Sequence, residues 1–448
     1  MPTTATEQTD EHTRRKGRPR VSETAAPSLV DILNLVRTEK ANTRQAIERH
    51  SELGRAVVAD RLGTLGELGL IDESELGTAT GGRAPRLVRF AADRGRILVA
   101  TLDQTAFGVG IADLAGSLLM EHHEAAELTQ PVSALAERLI TLFRWILERQ
   151  ADPQLYGISI SVPGAVPDGG GALFQRSTPG ILPGWESFPL VETLIATFNA
   201  PVWLRSSVET MTMGEFHAGA GRNTMLFVKV GKRIGAGLAN DGALFRGAQG
   251  AVGLIGSVPV TVGDRTGTLE AMAGSDHIAQ AGKVAAEHGA SPILAEQMRR
   301  AGDITALDVA QAAQMGDAAA IDILAQSGRL IGQVVATLAN MLNPALIVLS
   351  GSIAQTNDIL LAAAREAIYG ACHPLVSRDM QIIRSQMGSS SGLVGAAIIA
   401  TEGLFAPAML RDWIMAGRPQ AHSLFQQVKD EIARRNTMVG DTMRPPDV

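Results

Sequence analysis

LFVKVGKRIGAGLANDGALFRGAQGAVGLIGS, residues 226–257, is the stretch whose reading decides the fold. It begins with alternating apolar residues, as a strand does, and runs at once into Gly231, Gly235 and Gly237. A second strand-like piece follows, then a loop with Gly242, Gly247, Gly250, Gly253 and Gly256. Such a stretch has two physical readings. Glycines, having no Cβ, let backbone N–H groups close around an anion, and they equally serve a tight hairpin. The segments on either side decide between the two.

On the N-terminal side, residues 97–102 and 107–112 read as paired strands, with a third at 118–121. A helix is expected over 133–149, a buried strand over 156–162 (YGISISV), a helix over 190–198, a strand at 202–204 and a helix over 208–217. On the C-terminal side helices fill 275–338, and a strand at 346–349 enters Ser350-Gly351-Ser352. Hairpin strands followed by strand–helix alternation thus occur twice, an α/β pattern. Two similar lobes with glycine turns facing each other are the plan of the actin-like (RNase H-like) sugar kinases. Lobe 1 is expected over about 96–222 and lobe 2 over about 223–405.

The first 95 residues have another texture. Residues 1–27, rich in Thr, Glu, Arg and Pro, are expected to be a disordered basic arm. Their run RRKGRPR (14–20) is similar to an AT-hook, in which Arg18 would enter an A·T-rich minor groove. A solubilising basic tail is the alternative. Helices are expected over 28–40, 44–50 (capped by Thr43) and 55–69, with Val57, Val58, Leu62, Leu65 and Leu68 turned inward. The short turn Ser51-Glu52-Leu53-Gly54 makes the last two a helix-turn-helix. A strand at 69–71, an acidic tip and GGRAPR (81–86) leading into LVRF (87–90) then form an arginine-bearing wing. The winged helix-turn-helix is placed at 28–95.

Composition bounds the rest. The chain has 448 residues, 45% hydrophobic and 19% charged, which is ordinary for a globular protein of two or three domains. A net charge of −6 argues against one large basic face but averages over segments that differ, so DNA binding would rest on where the cations sit. The single Cys372 excludes an intrachain disulfide framework and a cysteine-rich zinc site, and fits a reducing compartment. The histidines show no metal-ligand spacing with nearby carboxylates, so no metal and no cofactor is expected. The N-terminus lacks an apolar signal region, and the apolar run 331–353 is broken by Gln333, Asn340, Asn343 and Pro344. A cytoplasmic protein without a membrane span is expected. Residues 406–448, with Phe425, Val428 and Ile432, read as a helical extension that packs on a partner subunit or on the chain itself.

Over essentially its full length the sequence resembles the ROK family (repressor, open reading frame, kinase). TRQAIERHSELGRAVVADRLGTLGELGLI (43–71) and GGRAPR resemble the winged helix-turn-helix of the family's repressors. SVPGAV (161–166), LPGWESFPL (182–190), DGALFRGAQGAVG (241–253) and SSGLVGAA (390–397) resemble its kinase-type domain. The chemistry-bearing positions depart from that pattern. Asp103 stands in the first phosphate turn without the close-approach glycines. Ser207 occupies the place of the family's catalytic Asp, and the second phosphate loop reads Gly231-Lys232-Arg233. The family's sugar-binding Glu and zinc-ligand His are replaced in Gly253-Leu254-Ile255-Gly256-Ser257. Its cysteine triad is absent from 261–270, where only Glu270 of the usual sugar-contacting acids remains, and a helix N-terminal carboxylate is an equal reading of it.

What the resemblance implies is a transcriptional regulator, a repressor, whose two-lobed domain dimerises and senses an effector without phosphotransfer. Its DNA contacts would be Arg55 and Arg61 on the reading helix, positioned by Thr43, Arg44 and Gly54. Arg83 and Arg86 on the wing and Arg18 in the arm would join them. With Ser206, Ser207, Leu254 and Ser257 changed, a hexose in the family's usual pose is not expected. Arg205, Ser207, Lys232, Arg233 and Glu270 are the candidate ligand residues, and the cations among them point to an anion such as a sugar phosphate or merely to a solvated cleft. A homodimer or a dimer of dimers on double-stranded DNA is expected. Two rivals stay open: a carbohydrate kinase with an added DNA-binding domain, and a DNA-binding protein with no effector.

Overall fold

The computed structural model describes residues 25–77, 84–103, 106–125, 131–151, 154–167, 173–176, 178, 188–220 and 224–442. They fall into two compact units, one formed by the chain up to Ala91 together with Leu410–Gly417, the other by Ala92–Met409 and everything from Arg418 on.

In the first unit, helices α1 (Ala26–Arg37), α2 (Arg44–Ser51) and α3 (Arg55–Glu67) precede a two-stranded wing of β1 (Ile71–Asp72) and antiparallel β2 (Arg89–Phe90). Thr43 starts α2 by accepting the Ala46 N–H at 3.2 Å, and Glu52 in the left-handed region (φ 57°) ends it. Leu29, Ile32 and Leu33 of α1, Ile47 of α2 and Val58, Leu62 and Leu65 of α3 form the core, each contributing about 1.5–3 kcal/mol by burial. Val57 does not join them. It is 38% exposed, because only Val58, Leu62 and Leu65 share the inward stripe of α3. The unit is a winged helix-turn-helix.

The second unit contains two sheets of the same plan. In lobe 1, β3 (Arg96–Leu102), β4 (Ala106–Ala112) and β5 (Leu118–Ala125) form an antiparallel meander. Helix α4 (Val132–Leu147), β6 (Leu155–Val162), α5 (Leu190–Phe198) and β7 (Val202–Ser206) follow, giving the order β5-β4-β3-β6-β7 with β6 parallel to both neighbours. Helix α6 (Ser207–Glu215) leads into lobe 2, where β8 (Thr224–Val230), β9 (Ile234–Asn240) and β10 (Ala243–Phe245) repeat the meander. After the hairpin β11 (Pro259–Val262) and β12 (Arg265–Thr268) come helices α7 (Leu269–Ala273), α8 (Ser275–Glu287), α9 (Pro292–Ala301), α10 (Ala306–Gln314) and α11 (Ala318–Leu342). Then β13 (Leu346–Ser350), α12 (Ser352–Thr356), α13 (Asp358–Ala371), α14 (Pro374–Ser377) and β14 (Gln381–Arg384) complete the order β10-β9-β8-β13-β14. A meander extended by two parallel strands, twice in one chain, is the duplicated actin-like architecture.

The sheets carry buried faces because their strands are runs of Val, Ile and Leu: Ile97, Leu98 and Val99 in β3 and Ile347, Val348 and Leu349 in β13 are wholly inaccessible. Helix α15 (Ser390–Phe405) lies on the lobe 1 sheet and crosses α6. Their backbones touch at glycines: a Cβ on Gly395 would stand 1.6 Å from the Thr210 carbonyl oxygen, and one on Gly214 2.1 Å from that of Ser391. Helix α16 (Pro407–Trp413) then leads to the segment that belongs to the first unit. The last helix, α17 (Ser423–Thr442), packs on α5 of its own chain, burying Phe425, Val428 and Ile432. Among the described residues no single helix is long and apolar enough to cross a membrane.

Candidate functional site

In the first unit the turn Glu52–Gly54 sets α3 after α2, and Gly54 is the N-cap of α3 in an extended conformation. A Cβ there would meet nothing within 4 Å, so Gly54 positions the helix by being its cap and not by a steric need for glycine. Arg55 opens α3 exposed, followed along one side of the helix by Ala56, Ala59, Gly63 and Gly66, with the exposed carboxylates of Asp60 and Glu67 beside them. Short side chains with one leading cation let a helix approach a groove closely.

Arg44 and Arg61 are placed differently from Arg55. Arg44 donates two hydrogen bonds to Glu73, at 2.9 and 2.8 Å, pinning α2 to the chain after β1. Arg61, its side chain 20% exposed, donates Nε to Ser28 Oγ at 2.8 Å and pairs with Asp60. Both guanidiniums are engaged within the unit, locking helix to wing and α3 to α1; charge alone could not reveal this. Arg86 is exposed on the wing, beside the antiparallel bridge it makes with Leu76. Arg18 and Arg83, with the rest of RRKGRPR and with Gly81 and Gly82, lie outside the described residues.

In the second unit the opening stretch resolves as a tight hairpin. Val230 pairs directly with Ile234, leaving Gly231, Lys232 and Arg233 as the loop. Its glycines answer to close packing. A Cβ on Gly237 would lie 2.0 Å from Thr212 Oγ1 of α6, and Gly253, at φ 90°, would bring one 1.6 Å from the Ala236 carbonyl. The loop cations face acids: Lys232 Nζ is 3.4 Å from Asp276 and Arg233 is 4.0 Å from Glu270. Glu270 also accepts the Ile234 N–H at 3.2 Å, so it holds the hairpin to the start of α7. Structure therefore gathers Lys232, Arg233 and Glu270 at one place.

Arg205 and Ser207 flank the start of α6. Ser206 caps this helix and forms a capping box with Glu209, whose Oε2 accepts the Ser206 N–H at 2.9 Å. The other oxygen of Glu209 accepts Arg246 Nε at 2.5 Å, and Arg246 donates also to the Val166 carbonyl at 3.1 Å. Arg205 donates back to the Leu204 carbonyl. A second ion pair joins the lobes: Lys229 Nζ of β8 lies 2.7 Å from Asp103 Oδ2 at the end of β3. Of these two pairs Asp103 was singled out by the sequence, whereas Glu209, Arg246 and Lys229 are the site residues that sequence reading missed. The capping-box spacing gave a signal for Glu209, whereas Arg246 and Lys229 lie 37 and 126 residues from their partners and gave none. Behind β9 a recess of about 160 Å³, lined by Leu226, Leu238, Phe245, Val252, Leu338 and Met341 among others, is almost wholly apolar and offers no group to orient a sugar.

The segment where the resemblance implies a zinc loop is the hairpin β11–β12, with Thr261 Oγ1 3.0 Å from Thr266 Oγ1. Its hydroxyls, backbone amides and single carboxylate, Asp264, do not fit a zinc site, which needs three or four thiolate, imidazole or carboxylate donors together.

Residues 102–403 match the ROK family. The chain belongs to that family. Its relatives include the N-acetylglucosamine repressor of Shigella flexneri, 26% identical over 372 residues (80% of this chain, 88% of the relative). The xylose repressor of Caldicellulosiruptor bescii is 24% identical over 347 residues, 75% of this chain and 86% of the relative. A glucokinase of Halalkalibacterium halodurans is 29% identical over 252 residues, but these span 54% of this chain and 74% of the kinase. Among solved structures, a ROK family transcriptional regulator homologous to the Escherichia coli MLC protein superposes with a TM-score of 0.70 at 19% identity, over 86% of this chain and 98% of that one. A ROK glucokinase from Streptomyces griseus, in complex with glucose and AMPPNP, gives 0.58 at 21% identity, over 68% and 99%.

Proposed function

We propose that this protein is a DNA-binding transcriptional repressor whose two-lobed domain dimerises and senses an effector without transferring phosphate. The observation that carries the reading is the winged helix-turn-helix with Arg55 exposed at the head of a slim reading helix and Arg86 exposed on the wing. Relatives named as repressors align with 75–80% of the chain, while the kinase relative aligns with about half of it, in keeping with this reading.

The same reading accounts for the cleft. A kinase needs a free carboxylate to take the sugar hydroxyl's proton, and a serine such as Ser207 does not ionise near neutral pH. Glu209, two residues on, has one oxygen on the cap and the other on Arg246, leaving it no role as a base. Asp103, where the family grips phosphate, is neutralised by Lys229. Loss of a positioned base costs about 10²–10⁴ in rate. We therefore expect no sustained ATP turnover with any of a panel of hexoses, N-acetylhexosamines and pentoses in a coupled assay. Turnover above about 1 s⁻¹, in the ordinary range of enzymes, would establish the kinase reading instead.

The effector we propose is a sugar or a sugar phosphate bound between the lobes, where it would compete with the Lys229–Asp103 pair. DNA recognition would use two copies of the chain on paired half-sites, since one such module buries too little for operon-level specificity. Genome-wide recovery of protected DNA, followed by titration of the bound fragment with sugars and sugar phosphates, tests both. DNA affinity indifferent to every such metabolite would remove the sensing half.

A further inference from the structure

On the side of α3 turned away from its core stands an acid, where a helix meant for a polyanion would be expected to carry none. Asp60 follows Ala56 and Val57 at spacings of four and three residues, so the three share one side of the helix. Ala56 is exposed, Val57 is 38% exposed, and both side chains are short, so neither screens the carboxylate. Glu67, the other exposed acid of this helix, is its last residue, away from the N-terminal part that contacts base edges in a helix-turn-helix.

One oxygen of Asp60 is already engaged. Ser28 of α1 donates to the Ala25 carbonyl at 2.9 Å and accepts Arg61 Nε at 2.8 Å. The same guanidinium, through Nη1, pairs with Asp60 Oδ2. Thr64, one turn on, sends its hydroxyl back to the Asp60 carbonyl at 3.1 Å and not outward. The Asp60 side chain is nevertheless 67% exposed, and its Oδ1 has no hydrogen-bond partner among the described residues.

Near phosphates a carboxylate weakens binding to every sequence alike, so it is useful only where a donor on the DNA meets it. The major groove offers two such donors, the N4 amino group of cytosine and the N6 amino group of adenine. Adenine sets the acceptor N7 beside its amino group, a pattern that an amide matches and that a carboxylate repels. Guanine and thymine turn acceptors to the groove. Cytosine alone presents a donor with no acceptor next to it on its own edge. We propose that Asp60 is a specificity-determining residue of the reading helix, accepting the N4 amino group of one cytosine in each half-site and rejecting the other three bases. This inference rests on the repressor reading and deepens it by naming a base.

The test uses the full-length chain and the DNA fragment recovered from the genome, with every base pair of a half-site varied in turn at one salt concentration. Wild-type protein is expected to prefer cytosine at one position by about tenfold to a hundredfold. Asp60→Ala should bring that ratio below about threefold, at a position other than the one that Arg55→Ala relaxes. Asp60→Asn should move the preference at the same position to adenine, whose N6 and N7 an amide contacts together. Replacing the cytosine by pyrimidin-2-one, which lacks only the amino group, should weaken the wild type by about tenfold and Asp60→Ala far less. Ratios between fragments are read on one preparation, so a partly unfolded variant does not distort them. Superimposable base profiles for the wild type and both variants overturn the proposal, and so does a changed position at which the wild type prefers a base other than cytosine. A wild-type chain that retains no fragment sinks the repressor reading and this inference with it. One that binds, with unchanged profiles in the variants, sinks this inference alone.

Discussion

Arg246→Met is expected to lower the stability of the two-lobed domain by about 3–5 kcal/mol, seen as a fall in the urea midpoint at unchanged slope. The reason is what the substitution leaves behind. The Glu209 side chain is 10% exposed and that of Arg246 14%, so removing the guanidinium strands a buried carboxylate. The Val166 carbonyl loses its donor at the same time. A pair of this kind adds little net stability over a well-packed apolar pair, whereas breaking one side of it is costly. The remedy follows from the same argument. Glu209→Gln removes the charge but keeps an amide that still closes the capping box on Ser206, so the double variant Arg246→Met/Glu209→Gln should recover most of the loss. Equal instability of the single and double variants would mean that Arg246 acts by filling space and not by compensating charge.

That pair marks the limit of what the sequence makes legible. Local devices are readable because their atoms are close along the chain: Thr43 capping α2, and the duplicated meander in its apolar periodicity. Periodicity reports which side of an element is buried and not what buries it. Glycine had the same ambiguity. In residues 226–257 it marks an approach to α6 and to β9, which a phosphate cradle would have spelled in the same letters. Arginine was the least legible of all. Arg61 read as available as Arg55, and the sequence did not reveal that it would meet Ser28 and Asp60, or that Arg44, read as a positioning residue, would do so through Glu73. The C-terminal extension read as one helix with an unknown partner. It divides instead, Leu410–Gly417 entering the first unit and α17 covering α5 in the second. Such a division is invisible to any window of sequence, since the partners of Ile414 are at the other end of the chain.

Neutralising Arg55 and Arg86 together should abolish DNA retention at physiological salt, and the two residues should fail in different ways. On the proposed reading Arg55 leads the helix that would enter the major groove, where a bidentate arginine–guanine contact is worth about 1–3 kcal/mol, so Arg55→Ala should cost about tenfold to a hundredfold on the cognate fragment and relax sequence preference at one position. Arg86 stands exposed on the wing, where on the same reading a cation would meet phosphate. Arg86→Ala should therefore weaken all fragments alike and flatten the dependence of log K on log salt by about one. Arg44→Ala and Arg61→Ala form the contrast. Their guanidiniums hold Glu73 and Ser28, so these variants should lower the melting temperature of the first unit and weaken DNA binding only as its folded fraction falls. Gel shifts across a salt series, with cognate and scrambled fragments side by side, separate the three behaviours. If the Arg55/Arg86 double variant retains the cognate fragment as the wild type does, α3 and the wing are not the DNA-reading surface, and gene control by this unit has to be given up.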